Sequence, residues 1–343
     1  MTCLQTAQDY WNSQLSILDG SDGQPNSGCP AHLLQGLIVG RVNTVKIRGT
    51  VPSGAKARIG ATLHLPASLS RYVSSPGAAL ADVLGRLPAE YREQTVIIAH
   101  GTLVTQLAYY RAAGQLVPLL DAPVLTYDRR GRMDSSAQPA DYSAQTEIED
   151  LQALLAATGA SRLLGHSFGG MVALLTAAED DRVKNVVTYD APINLNGRLN
   201  HMWSPDADDA FAAGQTGRAW ALLVNRLATA GPLSWLPVPL LTQVSRILPL
   251  SGSGREHLRL MGTCLNEMRA VVQSKPTVKT FANLPETTLI TGGFSPKYFV
   301  QAAQALATAM PSVHLLRAAG YFHEGPMRGD RKLARALAEA LNR

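Results

Sequence analysis

Ser167 is the residue whose surroundings point most directly to chemistry. It stands at the centre of the motif Gly-His-Ser-Phe-Gly at residues 165–169, between the apolar run Ser161 to Leu164 and an alanine-rich helical pattern that begins near Met171. The pattern G-x-S-x-G in that setting is typical of a sharp strand-to-helix turn that exposes a serine nucleophile above a sheet. Glycines at such a turn let the strand and the helix approach each other closely. We therefore predict that Ser167 attacks an ester-like carbonyl, with an ordinary strand–helix turn as the alternative.

A serine hydroxyl becomes a good nucleophile only when a neighbouring base takes its proton. The sequence offers eight histidines for that role. His323 follows the last predicted strand and precedes the last helix, where a base can reach a strand-top serine in the chain order Ser, Asp or Glu, His. We therefore predict His323 as the base. The remaining histidines lie within predicted strands (His64, His314), in turns where they shape the backbone (His100, His166), or in segments without a supporting pattern (His32, His201, His257).

Short apolar runs that alternate with helical patterns must position these residues. The runs cover residues 95–99, 123–127, 161–164, 185–189, 287–291 and 312–316. Strands that are apolar on both faces are typical of a parallel sheet covered by helices. Residues 147–157 form an amphipathic helix, and Asp330 caps a final one. The sequence thus predicts an α/β fold with a mostly parallel central sheet covered by helices.

The part of the chain before this alternation is less regular. Residues 44–50 and 57–65 predict an edge hairpin around the turn Pro52-Ser53-Gly54, and residues 79–91 predict one helix. Residues 1–43 form an N-terminal extension, with a helical pattern at 6–18 and a loop at 20–30. Three roles stay open for this extension: packing on the sheet edge, lengthening a cap, or mediating a homodimer.

Residues 193–285 interrupt the alternation without any strand-like run. They contain Trp203, Trp220 and Trp235, and apolar helical stretches at 219–227 and 236–248. Insertions at the carboxyl ends of parallel strands commonly carry binding elements. We predict that 193–285 is a helical cap over a pocket, inserted into a core formed by residues 44–192 and 286–343. Helical packing on that core is the alternative.

From about Thr95 to its end, the chain resembles the α/β-hydrolase superfamily, in its serine-nucleophile branch of bacterial ester hydrolases and haloperoxidase-like proteins with a helical cap. The resemblance is carried by His100-Gly101, by Tyr127-Asp128-Arg129-Arg130-Gly131, by residues 165–170, by Tyr189-Asp190-Ala191-Pro192 and by the loop from Gly320 to His323. It implies that the backbone N–H groups of Thr102 and Phe168 form the oxyanion hole, and that Arg129-Arg130-Gly131 is a structural turn. No cofactor is implied.

The acid of the catalytic triad departs from the pattern of this family. It commonly follows the penultimate strand, here 287–291, but the loop at 292–296 has no carboxylate. Asp190 occupies the alternative position that some members use, and we predict it as the acid, against the alternative of a buried structural carboxylate. Ser295 is a weaker partner for His323. Glu286 lies at the wrong end of its strand, and Glu324, next to the base, would tend to point elsewhere.

These residues favour hydrolysis of a carboxylic ester, lactone or thioester of a hydrophobic small molecule through a serine acyl-enzyme. An acyltransferase, or a lyase or C–C bond hydrolase, would use the same Ser–His pair. A non-catalytic ligand-binding member of the fold is a third alternative. Epoxide hydrolases and haloalkane dehalogenases share the layout but use a carboxylate nucleophile, so Ser167 argues against both.

Composition excludes several other classes of protein. The 343 residues carry a formal charge of +5, but the basic residues are scattered and the cluster at 129–132 is short, which argues against nucleic-acid binding. No apolar run is long enough to span a membrane, and the N-terminus lacks the pattern of a signal peptide. Cys3, Cys29 and Cys264 show no metal-ligand or redox spacing. We expect reduced thiols in a cytoplasmic protein without a metal site, with one disulfide plus one free thiol as the alternative.

Overall fold

The computed structural model describes residues 44–54, 57–75 and 77–343. The helix and loop predicted within residues 1–43 lie outside this part of the chain. Eight strands form one sheet: β1 (Thr44–Ser53), β2 (Ala57–Pro66), β3 (Val96–Ala99), β4 (Val124–Tyr127), β5 (Arg162–His166), β6 (Asn185–Tyr189), β7 (Glu286–Gly292) and β8 (Val313–Ala318).

The strand order in this sheet is β1-β2-β4-β3-β5-β6-β7-β8. Strands β1 and β2 pair antiparallel with each other, and β2 pairs antiparallel with β4. Every other neighbouring pair is parallel. The predicted mostly parallel sheet is therefore confirmed, and so is the antiparallel hairpin at its edge. Because β5 lies between β3 and β6, the loops that follow these three strands meet at one edge of the sheet.

Helices cover both faces of the sheet. The α-helices are α1 (Leu80–Arg86), α2 (Ala89–Glu93), α3 (Tyr110–Leu120), α4 (Ala144–Thr158), α5 (Phe168–Glu179), α6 (Pro205–Ala212), α7 (Thr216–Leu227), α8 (Val238–Val244), α9 (Gly252–Arg259), α10 (Met261–Gln273), α11 (Lys297–Ala309) and α12 (Arg331–Leu341). Short 3-10 helices lie at Ala67–Tyr72, Gln106–Tyr109, Leu195–Gly197, Asn200–Met202, Gly231–Trp235, Leu248–Leu250, Val278–Phe281 and Gly325–Arg328.

The side chains of the central strands alternate between two apolar cores, as the pleat of a strand requires. In β3, Ile97 and Ala99 join the larger core, which α4, α5 and α11 cover. Val96 and Ile98 face the smaller core beneath α3 and α12. Burial on both faces explains why these strands read as continuous apolar runs.

Two predicted boundaries are wrong. The helix predicted at 79–91 is divided into α1 and α2, because proline disfavours helical conformation in the residue before it, and Leu87 accordingly has an extended ψ of 133° before Pro88. Strand β1 continues through Pro52 and Ser53, which were expected in the turn. Proline is tolerated there because β1 is an edge strand.

The segment 193–285 contains only helices and loops, and it connects β6 to β7. The apolar stretch at 236–248 is not one helix, because α8 ends at Val244 and a separate 3-10 turn follows at Leu248. The buried Asn194 lies where the segment begins. Its side-chain amide donates to the carbonyls of Val271 (3.0 Å) and Val272 (3.1 Å) near the end of α10. No helix in the described part of the chain is long and apolar enough to cross a membrane.

Candidate active site

Ser167 occupies a sharp turn between β5 and α5. Its backbone has φ +53° and ψ −127°, a conformation that costs a non-glycine residue roughly 1–3 kcal/mol. The approach of the helix to the sheet leaves no room for side chains on the flanking glycines: a Cβ on Gly169 would lie 2.2 Å from the carbonyl oxygen of Ala99, and one on Gly165 would lie 2.5 Å from Gly170 Cα. The sequence of this turn therefore follows from its geometry.

The imidazole of His323 lies in the loop after β8, with its Nδ1 3.0 Å from Oδ2 of Asp190. Its ring stacks on Phe299 of α11, with a centroid separation of 4.9 Å and an interplanar angle of 9°. Asp190 is fully buried and accepts Nδ1–H, so Nε2 remains as the proton acceptor. Ser167 and His323 line the same pocket.

Asp190 is held by the last residue of β7 and by the loop that follows. Its Oδ1 accepts from the backbone N–H of Gly292 at 3.1 Å, and its Oδ2 accepts from the Ser295 hydroxyl as well as from His323. Ser295 thus contacts the acid and not the base, which corrects the weaker alternative drawn from the sequence. Like Ser167, Asp190 has a positive φ, +48°. The backbone at the end of β6 is therefore held in a costly conformation that brings this carboxylate to the histidine.

A second histidine, His166, connects three parts of the site. Its Nε2 donates to the carbonyl oxygen of His323 at 2.8 Å, so its Nδ1 must accept from the Tyr109 hydroxyl. The Tyr109 oxygen in turn accepts from Gly101 N–H at 3.2 Å. Burial, and secondarily the nearby His323, lowers the pKa of His166 well below its usual value, which keeps the ring neutral. This series of hydrogen bonds connects the loop after β3 and the loop that carries His323 to His166, the residue before the nucleophile.

The loop after β3, residues 100–104, faces Ser167 across the pocket. Gly101 approaches the nucleophile so closely that a Cβ there would lie 3.2 Å from Ser167 Cβ. Thr102 lines the pocket, and the next residue, Leu103, has a φ of +57°. Phe168 is the first residue of α5, where a backbone N–H has no partner within the helix. Of the two residues that the resemblance assigned to the oxyanion hole, Thr102 thus lines the pocket of Ser167, and Phe168 directly follows Ser167 in the chain.

Residues of the segment 193–285 form much of the opposite wall of the pocket. Trp220 and Val224 of α7 contribute apolar surface together with Leu233. Ser253 and His257, four residues apart on α9, add polar groups to the same wall. Burial lowers the pKa of His257 to about 4, so its imidazole is neutral at pH 7. The pocket is therefore mainly apolar, with a small polar patch on α9.

Glu324, which follows the base in sequence, is also a residue of the pocket lining. It is buried, and its Oε1 accepts from Nη2 of Arg328 at 2.7 Å. It makes no contact with His323 that could replace Asp190. Among the described residues, no cluster of three or more His, Cys, Asp or Glu side chains could hold a metal ion.

Sequence reasoning missed several residues around the site. Tyr109 and His257 carry no motif, and their positions depend on how distant helices pack. Arg129 was expected to be part of a structural turn, but its side chain is fully buried and contacts Glu147 and Glu267. The unusual concentration of charge at 129–132 was the one signal that could have drawn attention to it.

Comparison with known families and structures places this geometry in context. The family model described as "Alpha/beta hydrolase family" matches residues 96–336. A crystal structure of an alpha/beta hydrolase from Sphaerobacter thermophilus is 25% identical, covers 85% of this chain and 99% of its own, and has a TM-score of 0.60. A bromoperoxidase from Bacillus anthracis is 17% identical (TM-score 0.57, 86% and 100% covered). An esterase from Exiguobacterium antarcticum is 15% identical (TM-score 0.56, 86% and 99% covered). A search of curated proteins found no match.

Proposed function

The chain belongs to the alpha/beta hydrolase family, and from that membership we propose that it is a serine hydrolase acting on a carboxylic ester, lactone or thioester of a hydrophobic small molecule. The observation that carries the proposal is the 3.0 Å contact between His323 Nδ1 and Asp190, in the same pocket as Ser167. A buried carboxylate on Nδ1 leaves Nε2 unprotonated, as a general base requires.

In the proposed reaction, His323 Nε2 takes the proton of Ser167 as Oγ attacks the substrate carbonyl. The N–H groups of Thr102 and Phe168 stabilise the oxyanion of the tetrahedral intermediate. His323 then gives its proton to the leaving group, and an acyl-enzyme remains. Water, deprotonated by the same histidine, releases the acid. The transfer requires Ser167 Oγ and His323 Nε2 to come within hydrogen-bond distance in the substrate complex, and both residues line the same pocket.

The substrate class is inferred from the pocket. Trp220, Val224 and Leu233 give it an apolar wall, and they come from the segment 193–285, which we assign as the cap. An apolar pocket with a few polar groups favours a hydrophobic ligand whose orientation is set by those groups. Acyl transfer, or lyase or C–C bond hydrolysis, would use the same residues, and a panel of acyl acceptors and scissile bonds distinguishes these reactions from ester hydrolysis.

A fluorophosphonate probe tests the serine mechanism directly. We expect the wild-type protein to be labelled at Ser167, as located by peptide mass spectrometry, and to hydrolyse p-nitrophenyl esters. Ser167→Ala should show neither labelling nor hydrolysis. Ser253→Ala, which changes another serine in the same pocket, is the matched control and should still be labelled. Absence of wild-type labelling, or equal labelling of Ser167→Ala, would refute the proposal.

A further inference from the structure

A buried charge cluster lies beside the candidate active site. The side chains of Arg129, Arg132, Glu147 and Glu267 all have 0% exposure. Arg129 Nη1 is 3.1 Å from Glu147 and 3.0 Å from Glu267, and Arg132 Nη2 is 2.6 Å from Glu267. Two cations and two anions leave the cluster formally neutral. Burial by itself lowers the pKa of Arg129, but the carboxylates of Glu267 and Glu147 raise it above its usual value, so the guanidinium is charged.

Both guanidinium groups also donate to backbone carbonyls of residues 100–104. Arg129 Nε donates to the carbonyl of His100 at 3.1 Å, and its Nη2 donates to that of Gly101 at 2.9 Å. Arg132 Nε donates to the carbonyl of Val104 at 2.8 Å. The Arg129 guanidinium also lies over the Phe168 ring, 4.6 Å from its centroid. One buried cation therefore touches both sides of the predicted oxyanion hole.

The contact at Gly101 has a directional consequence. The Gly101 carbonyl and the Thr102 N–H belong to one peptide unit, and in a trans peptide these two groups point in opposite directions. The carbonyl accepts from Arg129 and also from His100 Nδ1 at 2.8 Å, which occupies both of its lone pairs. Fixing that carbonyl on the buried side turns the Thr102 N–H the other way, and Thr102 lines the pocket.

We propose that Arg129 and Arg132 are positioning residues that aim the Thr102 N–H at the developing oxyanion, and that Glu267 of the cap holds both of them in place. This inference rests on the proposed function, because the oxyanion arises only in the serine mechanism. Glu267 lies on α10, within the segment 193–285, whereas the two arginines and Glu147 belong to the core. The position of the cap is thereby coupled to the geometry of the loop 100–104.

The test compares Glu267→Gln with Asn266→Ala, its neighbour on α10. Asn266 also joins α10 to the core, by donating to Gln138 Oε1 at 2.8 Å, but it does not contact residues 100–104.

The probe is an alkyl trifluoromethyl ketone, whose adduct with Ser167 carries an oxyanion. We expect Glu267→Gln to weaken its binding about tenfold, part of the 10²–10³ effect of losing an oxyanion donor, and to lower kcat similarly. KM and the affinity for the product carboxylate should stay the same. Asn266→Ala should match the wild type in all of these measurements.

Two further measurements separate positioning from stability and from the proposed function. The double variant Arg132→Met/Glu267→Met removes a complete buried ion pair, an exchange that is often neutral for stability. It should keep the melting temperature but lose ketone affinity.

Amide hydrogen exchange of residues 101–104 should be faster in Glu267→Gln and unchanged in Asn266→Ala, whether or not the protein hydrolyses esters. A wild type that neither reacts with fluorophosphonate nor binds the ketone would refute the proposed function. Unchanged hydrogen exchange or unchanged ketone affinity in folded variants would instead overturn the positioning role of Arg129, Arg132 and Glu267.

Discussion

Asp190 lies 3.0 Å from Nδ1 of His323 although it follows the strand that precedes the helical segment and not the strand after it. Strand β6 pairs with both β5 and β7, so its carboxyl end lies between the serine turn and the loop after β7. The last residue of β7 supplies the Gly292 N–H to the carboxylate, and the loop after β7 supplies the Ser295 hydroxyl in place of an acid of its own. We propose that the acid of the triad comes from β6 instead of the penultimate strand, β7, but takes the same position beside the histidine.

Asp190→Asn tests this assignment. An asparagine amide would present a donor or a weaker acceptor to Nδ1 and favour the wrong tautomer of His323, so kcat for a p-nitrophenyl ester should fall by about 10³- to 10⁴-fold. The circular dichroism spectrum should not change. Asp180→Asn, which breaks an ion pair between the buried Asp180 and the exposed Arg182 just after α5, is the control and should keep full activity. Full activity in folded Asp190→Asn would reduce Asp190 to a structural carboxylate.

Tyr109→Phe tests the hydrogen-bond chain through His166. The substitution removes the donor to His166 Nδ1 and the acceptor of Gly101 N–H, so the loops that carry Thr102 and His323 should both loosen. We expect kcat to fall by about ten- to a hundredfold, as misplacement of catalytic groups does. The melting temperature should fall as well, because two buried groups lose their hydrogen-bond partner. Tyr110→Phe offers a matched control, because that hydroxyl contacts Thr62 outside the site. Equal kcat in both variants would show that the hydrogen bonds through Tyr109 and His166 do not position the catalytic groups.

His257→Leu tests whether α9 orients the substrate. A neutral imidazole in an apolar pocket can exchange a hydrogen bond with a hydroxyl or carbonyl group on the substrate. The leucine variant should lose about ten- to a hundredfold in kcat/KM for esters with such a group, corresponding to a bond of roughly 1–3 kcal/mol. Unsubstituted alkyl esters should react as before, and His257→Gln should retain part of the preference. A uniform loss over all esters would instead indicate a packing role.

His64→Gln tests the acid sensitivity of the fold. His64 is a fully buried residue of β2, and burial, followed by the charge of Lys46, lowers its pKa from 6.5 to about 3. Between these values the unfolded chain binds a proton that the folded chain does not, so the free energy of unfolding falls as pH decreases from 6.5 to 3. Urea midpoints from pH 7 to 4.5 should therefore fall less in His64→Gln. His314→Gln, at an exposed position on β8, should follow the wild type.

Much of the fold could be predicted from the sequence because strands and turns are marked by local patterns of residues. Apolar runs mark strands buried on both faces, and the glycines around Ser167 mark a turn where no Cβ fits. His323 and Asp190 could be predicted because both follow strand ends. The break at Pro88 was missed because the apolar periodicity continues through it. His257 and Glu267 could not be predicted, since their roles depend on how helices of the segment 193–285 pack against loops far away in sequence.

The contact made by Asn194 has a consequence for how this protein could be remodelled. One amide group joins the start of the helical segment to the carbonyls of Val271 and Val272, so the two ends of the stretch 194–272 meet. A module whose ends meet can be exchanged for a longer or shorter one without altering strand order. Grafting a different helical module between residues 194 and 271 is thus a route to new selectivity, provided that the graft restores a carboxylate opposite Arg129 and Arg132.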